Sequence, residues 1–215
     1  MSDSNVVRAD DPRWTSQSSL PIQHPLRQVR ENLVVGEYFF PFAEKYNPIL
    51  YSHILSLTNG NSDIGPHNGV VYSKRKTTPD YYKYEEVAPL MKWITSMLVR
   101  DFCPSDRVHY HQTTRRPDHQ TAAGRRYGEG IRCTETWGLI FERDNEIKPH
   151  THLSNLFTFT YYVKVPKGSA PLVFPTSGKK IKPEEGKLVM FESRLVHMVP
   201  ANKSDSRCII GGCFG

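Results

Sequence analysis

Cysteine is scarce in this 215-residue sequence, and the four present, Cys103, Cys133, Cys208 and Cys213, never form a closely spaced pair. That spacing excludes a zinc ribbon and a thioredoxin-type motif, and it fits free, mostly buried thiols in a reducing compartment. Long apolar runs are missing too. No stretch reaches the length of a membrane span or of a signal-peptide core, so a soluble, cytoplasmic protein is expected. Negative charge is in deficit: 28 Lys and Arg face 22 Asp and Glu, giving a net charge of +6 and a pI near 9.1. Basic clusters occur at Lys74-Arg75-Lys76, Arg115-Arg116 and Arg125-Arg126. No zinc finger, recognition helix or RNA-binding aromatic signature accompanies them, so nucleic acid is disfavoured as a partner and solvated loop faces are the expectation. No internal repeat is present.

What the sequence does have is aromatic weight. With 3 Trp, 11 Tyr and 10 Phe and 38% hydrophobic residues, the chain can pack a core, and its length calls for a single domain over 1–215. Residues 1–22 are polar and proline-containing and read as an irregular arm. Residues 23–130 read as helices and loops. Leu26, Val29, Leu33, Ile49, Leu50, Ile54 and Leu57 recur at helical intervals, interrupted around Pro41 and Pro48. The clearest helix spans about 82–102, where Val87, Leu90, Met91, Ile94, Met97 and Leu98 form one stripe. Polar segments at 59–79, around Val70-Val71-Tyr72, and at 106–130 read as loops. From residue 131 the pattern turns to short strands, at 132–141, 156–165, 187–191 and 207–214. Helices followed by clustered strands predict an α+β chain whose strands form a sandwich or jelly-roll barrel.

The chemistry-bearing residues lie in the strand-rich half. His150 and His152 stand two residues apart, so on an extended strand both point to one face and can bite one metal ion. A remote histidine, His197, closes a three-point ligand face and leaves other coordination positions open. Arg207 follows ten residues later at the start of the last strand. Its planar guanidinium can grip a carboxylate bidentately, and inside an apolar barrel such a charge is costly unless a bound anion pairs with it. His109, His111 and His119 read as members of a polar loop, and Trp137 as a core residue.

These residues form an ordered set. His150-Thr151-His152-Leu153-Ser154-Asn155 leads into a Tyr161-Tyr162-Val163 strand, followed by the Pro183-Glu184-Glu185-Gly186 turn, Phe191 to Ser193, His197 and Arg207. Over roughly 133–214 the sequence resembles the 2-oxoglutarate/iron(II)-dependent oxygenases, in particular small phage and bacterial members with a His-x-His motif. The resemblance implies a double-stranded β-helix core over 131–215 with N-terminal helices packed against it. It implies Fe(II) and 2-oxoglutarate as cofactors, O2 as co-substrate and hydroxylation of a C–H bond with release of succinate and CO2. It also implies a bacterial host cell or a phage genome as the source.

In many prolyl-hydroxylase-like members the first tyrosine of the pair binds the 2-oxoglutarate carboxylate, which points to Tyr161. The alternation of Phe157, Phe159, Tyr161 and Val163 with Thr158, Thr160, Tyr162 and Lys164 places Tyr161 on the apolar, inward face as well. Asn155 stands open between turn former and active-site donor. One departure is clear: most members use His-x-Asp or His-x-Glu, and here His152 occupies the carboxylate position. Either three imidazoles bind the metal, or His150 and His197 bind and His152 faces the substrate. Two rival readings are a cupin-like three-histidine metalloprotein that does not use 2-oxoglutarate, and a non-enzymatic interaction module. The substrate, a small molecule or a peptidyl residue, is not legible, and the oligomeric state is open, a homodimer included.

Overall fold

A computed structural model describes residues 34–58, 75–102 and 130–215. The expected arm at 1–22, most of both polar loops, Cys103 and the loop histidines lie outside the described residues, as do the two downstream arginine pairs.

The first element is a strand, β1 (Val35–Phe39), where the sequence pattern was read as part of a helical run. Valine and aromatic side chains favour extended backbone, Gly36 disfavours helix, and an open sheet edge supplies the hydrogen bonds that complete the strand. Helix α1 (Ala43–Thr58) follows and runs straight through Pro48, where an interruption was expected. Pro48 sits early in the helix, and its missing N–H deprives one backbone carbonyl of a partner. The buried stripe Asn47, Leu50, Ile54 and Thr58 compensates by packing inward.

A two-residue strand, β2 (Arg75–Lys76), and two 3-10 turns (Tyr81–Lys83 and Glu85–Val87) lead into α2 (Ala88–Phe102), with Leu90, Met91, Ile94 and Leu98 buried. The expected helix at 82–102 thus opens as tight turns and becomes α-helical only from Ala88. Eight strands follow: β3 (Cys133–Phe141), β4 (Ile147–His150), β5 (Phe157–Lys164), β6 (Leu172–Phe174), β7 (Lys179–Ile181), β8 (Lys187–Glu192), β9 (His197–Val199) and β10 (Arg207–Phe214).

The strands form a six-stranded sheet in the order β1-β8-β5-β10-β3-β2 and a four-stranded sheet in the order β4-β9-β6-β7. All ladder pairings are antiparallel. This is an α+β jelly roll, and β1 and β2 extend its larger sheet beyond the expected 131–215 core. The turn into β8 ends at Gly186, whose φ of 78° suits glycine and whose close approach to Ala43 leaves no room for a side chain.

The larger sheet is covered on both sides. On one face Leu50, Ile54, Leu90 and Ile94 of the helices pack against Phe159, Tyr161, Leu188, Ile210 and Phe214. On the other, between the two sheets, Leu139, Phe141, Tyr162, Phe174, Phe191, Val199 and Ile209 form a second core. Strand β10 is therefore buried at all eight residues. Among the described residues no helix is long and apolar enough to cross a membrane.

Candidate metal centre

Pairing of β4 with β9 sets His150 directly opposite His197, and the two imidazoles lie 4.2 Å apart between ring centroids. His152 lies just beyond the end of β4, its backbone N–H donating to the Ser193 carbonyl at 2.9 Å. Its ring is 4.9 Å from that of His150 and 5.3 Å from that of His197. One nitrogen from each of the three comes within 4.8 Å of the other two, so the expected ligand trio is assembled.

Two of the three rings have their tautomer set by the backbone. Nδ1 of His150 lies 2.9 Å from the Lys148 carbonyl, and Nδ1 of His197 lies 2.9 Å from the Leu195 carbonyl. A carbonyl only accepts, so each Nδ1 carries the proton and each Nε2 presents its lone pair to a metal. Burial holds all three imidazoles below the ordinary histidine pKa, with His152 lowered to about 4 and His197 to about 3. The charge of His150 deepens the shift at both neighbours. The trio is thus neutral at neutral pH, the state that binds metal.

A pH dependence follows for the metal-free protein. The unfolded chain takes up protons on these rings below about pH 6.5, while the folded rings resist until about pH 4 and about pH 3. In that window the unfolded state holds more protons, so stability falls as pH falls. Melting temperatures from pH 7.5 to pH 4.5 should decline, and the decline should be shallower in His197→Gln. A flat profile would refute neutral, buried imidazoles.

Arg207 is the other unusual group. Its side chain is 0% exposed, and Nε, Nη1 and Nη2 find no hydrogen-bond partner among the described residues. The Tyr162 hydroxyl beside it likewise makes no hydrogen bond of normal geometry among the described residues, and its contact with the guanidinium is electrostatic. The guanidinium carbon sits 4.4 Å from the Phe141 ring centroid and 5.6 Å from that of Tyr162, contacts that offset only part of the cost of burying a charge. Burial pushes the arginine pKa down, yet a guanidinium stays charged. Lys187, the other buried cation among the described residues, shows what a satisfied one looks like. Its Nζ meets Glu184 at 2.6 Å and Glu37 at 3.3 Å.

Tyr161 is not with this group, contrary to expectation. It points to the helix side of the sheet, where its hydroxyl donates to Asn47 Oδ1 at 2.6 Å. Alternation along β5 puts Tyr162 on the inter-sheet face with Arg207. Asn155 acts in the turn after His152: its N–H donates to the His152 carbonyl and its Oδ1 accepts from Thr134 Oγ1 at 2.7 Å. The sequence reading also undervalued Trp137, whose ring lies 5.8 Å from His152 and under the Lys76 ammonium at 4.8 Å. Only the parity of Trp137 with Leu139 and Phe141 along β3 signalled its inward position.

No protein-family model matches the sequence, and comparison with curated proteins gives no significant match. Solved structures do match. A viral collagen prolyl hydroxylase from Paramecium bursaria Chlorella virus-1, in its 2-oxoglutarate complex, aligns over 86% of this chain and 98% of its own, with a TM-score of 0.60 at 14% identity. A Pseudomonas putida prolyl-4-hydroxylase aligns over 85% and 92%, with a TM-score of 0.56 at 13% identity. The chain shares the jelly-roll fold of these two structures. At such identities the likeness fixes architecture alone, and the chemistry lies in the side chains that this fold carries.

Proposed function

We propose that this protein is an Fe(II)/2-oxoglutarate-dependent oxygenase that hydroxylates a C–H bond. The observation that carries the reading is the orphaned pair Arg207 and Tyr162, buried in the inter-sheet core that also adjoins the three histidines. Four buried polar atoms without a hydrogen-bond partner among the described residues are costly, and a carboxylate is the group that satisfies them together.

The residues present fit both cofactors. His150, His152 and His197 would hold the iron as neutral imidazoles, and Arg207 with Tyr162 would hold the distal carboxylate of 2-oxoglutarate. When bound, iron and 2-oxoglutarate supply the oxidising chemistry, O2 being consumed and succinate and CO2 released. The protein's part is positional. The carbonyls of Lys148 and Leu195 fix two imidazoles in the ligating tautomer. Phe174 and Phe191, 6.5 and 4.8 Å from the His197 ring, wall the centre with apolar surface that excludes water. Residue preferences at the mouth set the substrate, a peptidyl residue such as proline or a small molecule. A three-histidine metalloprotein that does not use 2-oxoglutarate leaves Arg207 unexplained.

Anaerobic titration of Fe(II) and then 2-oxoglutarate tests the proposal. A weak visible charge-transfer band should appear only when both are present; bound metal with no band would reject 2-oxoglutarate use. The two tyrosines should separate cleanly. Tyr162→Phe removes one donor to the carboxylate and should weaken 2-oxoglutarate binding about tenfold, as the loss of one hydrogen bond to a charged group does. Tyr161→Phe should leave that affinity unchanged and cost about 1 kcal/mol of stability in urea denaturation, through the lost Asn47 bond. The reverse pattern would return Tyr161 to the binding site.

A further inference from the structure

A centre of three imidazoles carries no negative charge of its own. A divalent ion there keeps both positive charges, and the Lys76 ammonium nearby adds a third, which already disfavours protonation of His150 and His152. One carboxylate stands against this. Glu135 on β3 is paired in register with Cys213 on β10 and lies two residues before Trp137, on the same face of the strand. Glu135, Cys213 and His152 form a second set of potential ligand atoms, all within 4.8 Å of one another.

The two sets meet only at His152. Glu135 is grouped with neither His150 nor His197, which argues that its carboxylate reaches the outer side of the His152 ring and not the position shared by the three nitrogens. His152 is also the ring that lacks an orienting partner. His150 and His197 each anchor Nδ1 on a backbone carbonyl, whereas among the described residues no hydrogen bond to the His152 ring is made. For His152 a carboxylate is the neighbouring acceptor: Glu135, which also accepts from the Cys213 thiol, has an oxygen within 4.8 Å of a nitrogen of the ring.

We propose that Glu135 is a positioning residue of the metal centre: its carboxylate accepts a hydrogen bond from the second ring nitrogen of His152 and restores, one ligand removed, the negative charge that the His-x-His motif lacks. Such an acceptor fixes the ring's tautomer and raises its basicity toward a metal. The inference rests on the three-histidine centre of the proposed function.

Co(II) titration followed by its visible absorption, together with the melting temperature of the metal-free protein, tests it. Glu135→Gln should bind Co(II) 10- to 100-fold more weakly, the usual cost of losing such a partner. Its absorption spectrum at saturation and its metal-free melting temperature should match those of the wild type, and Glu135→Asp should recover part of the affinity. Affinity within twofold of wild type in Glu135→Gln would overturn the proposal. So would a saturated spectrum of altered intensity, which would make Glu135 a direct ligand. If wild-type protein takes up no Co(II), the three-histidine centre falls and this inference with it. If His197→Ala abolishes binding while Glu135→Gln leaves it intact, only the role of Glu135 falls.

Discussion

Arg207→Met should abolish measurable 2-oxoglutarate binding and, in the same protein without ligand, raise the melting temperature. The first half follows from geometry. Among the described residues the guanidinium and the Tyr162 hydroxyl are buried donors without a hydrogen-bond acceptor, so a carboxylate bound there loses its charge partner when the arginine goes. Removing one member of a buried, hydrogen-bonded charge pair costs about 2–5 kcal/mol, a loss of at least about 30-fold in affinity. The second half follows from the absence, among the described residues, of an ion pair or a well-formed hydrogen bond to the guanidinium in the ligand-free state. A fully buried charge without an ion pair carries a desolvation penalty of several kcal/mol, and a flexible apolar side chain fills similar space against Phe141 without it. Opposite signs for binding and stability mark a residue held for its ligand. Unchanged affinity would remove Arg207 from the site; a lower melting temperature would show that the guanidinium is satisfied without ligand.

His197→Ala should eliminate specific metal binding, with at least a 100-fold weaker Co(II) or Fe(II) affinity by equilibrium dialysis. His197 is the most deeply buried of the trio, faces His150 across the β4–β9 ladder and has its tautomer fixed by Leu195. Its loss leaves two ligands from one short segment, which cannot enclose an ion. Truncation also empties space beside Phe191 and Phe174, so some stability should be lost as well. His152→Ala, at a ring without a backbone anchor, should cost less. Equal losses at the two positions would make the trio symmetric; no loss at His152 would leave a two-histidine site.

Much of this centre was legible because its parts are local. The His150–His152 pair, the remote His197 and Arg207 at the head of the last strand sit in short segments whose strand character follows from composition. The boundaries of β3, β5, β8 and β10 fell within a residue or two of expectation for the same reason. Strand β1 was missed because an edge strand is completed by its partner: Val35 to Phe39 pair with Phe191 to Lys187, a contact far away in sequence.

The tyrosine assignment failed for a more instructive reason. Along β5 the apolar parity, Phe159 and Tyr161, was taken to face the barrel interior. In a sheet covered on both sides that parity faces the helices, and the interior receives Thr158, the Thr160 position and Tyr162. Alternation separates two faces but does not say which is which when both are buried.

The sequence by itself determined the candidate ligand types, their order and the strand-rich half that bears them, because periodicity and residue chemistry act over a few positions. Only the tertiary structure decided which face of β5 looks inward, that Glu135 lies near His152, and that among the described residues Arg207 has no hydrogen-bond partner while Lys187 meets two carboxylates. Those facts depend on register between strands distant in the chain and on what is left unpaired once water has been expelled, and neither quantity exists until the sheets have closed on one another.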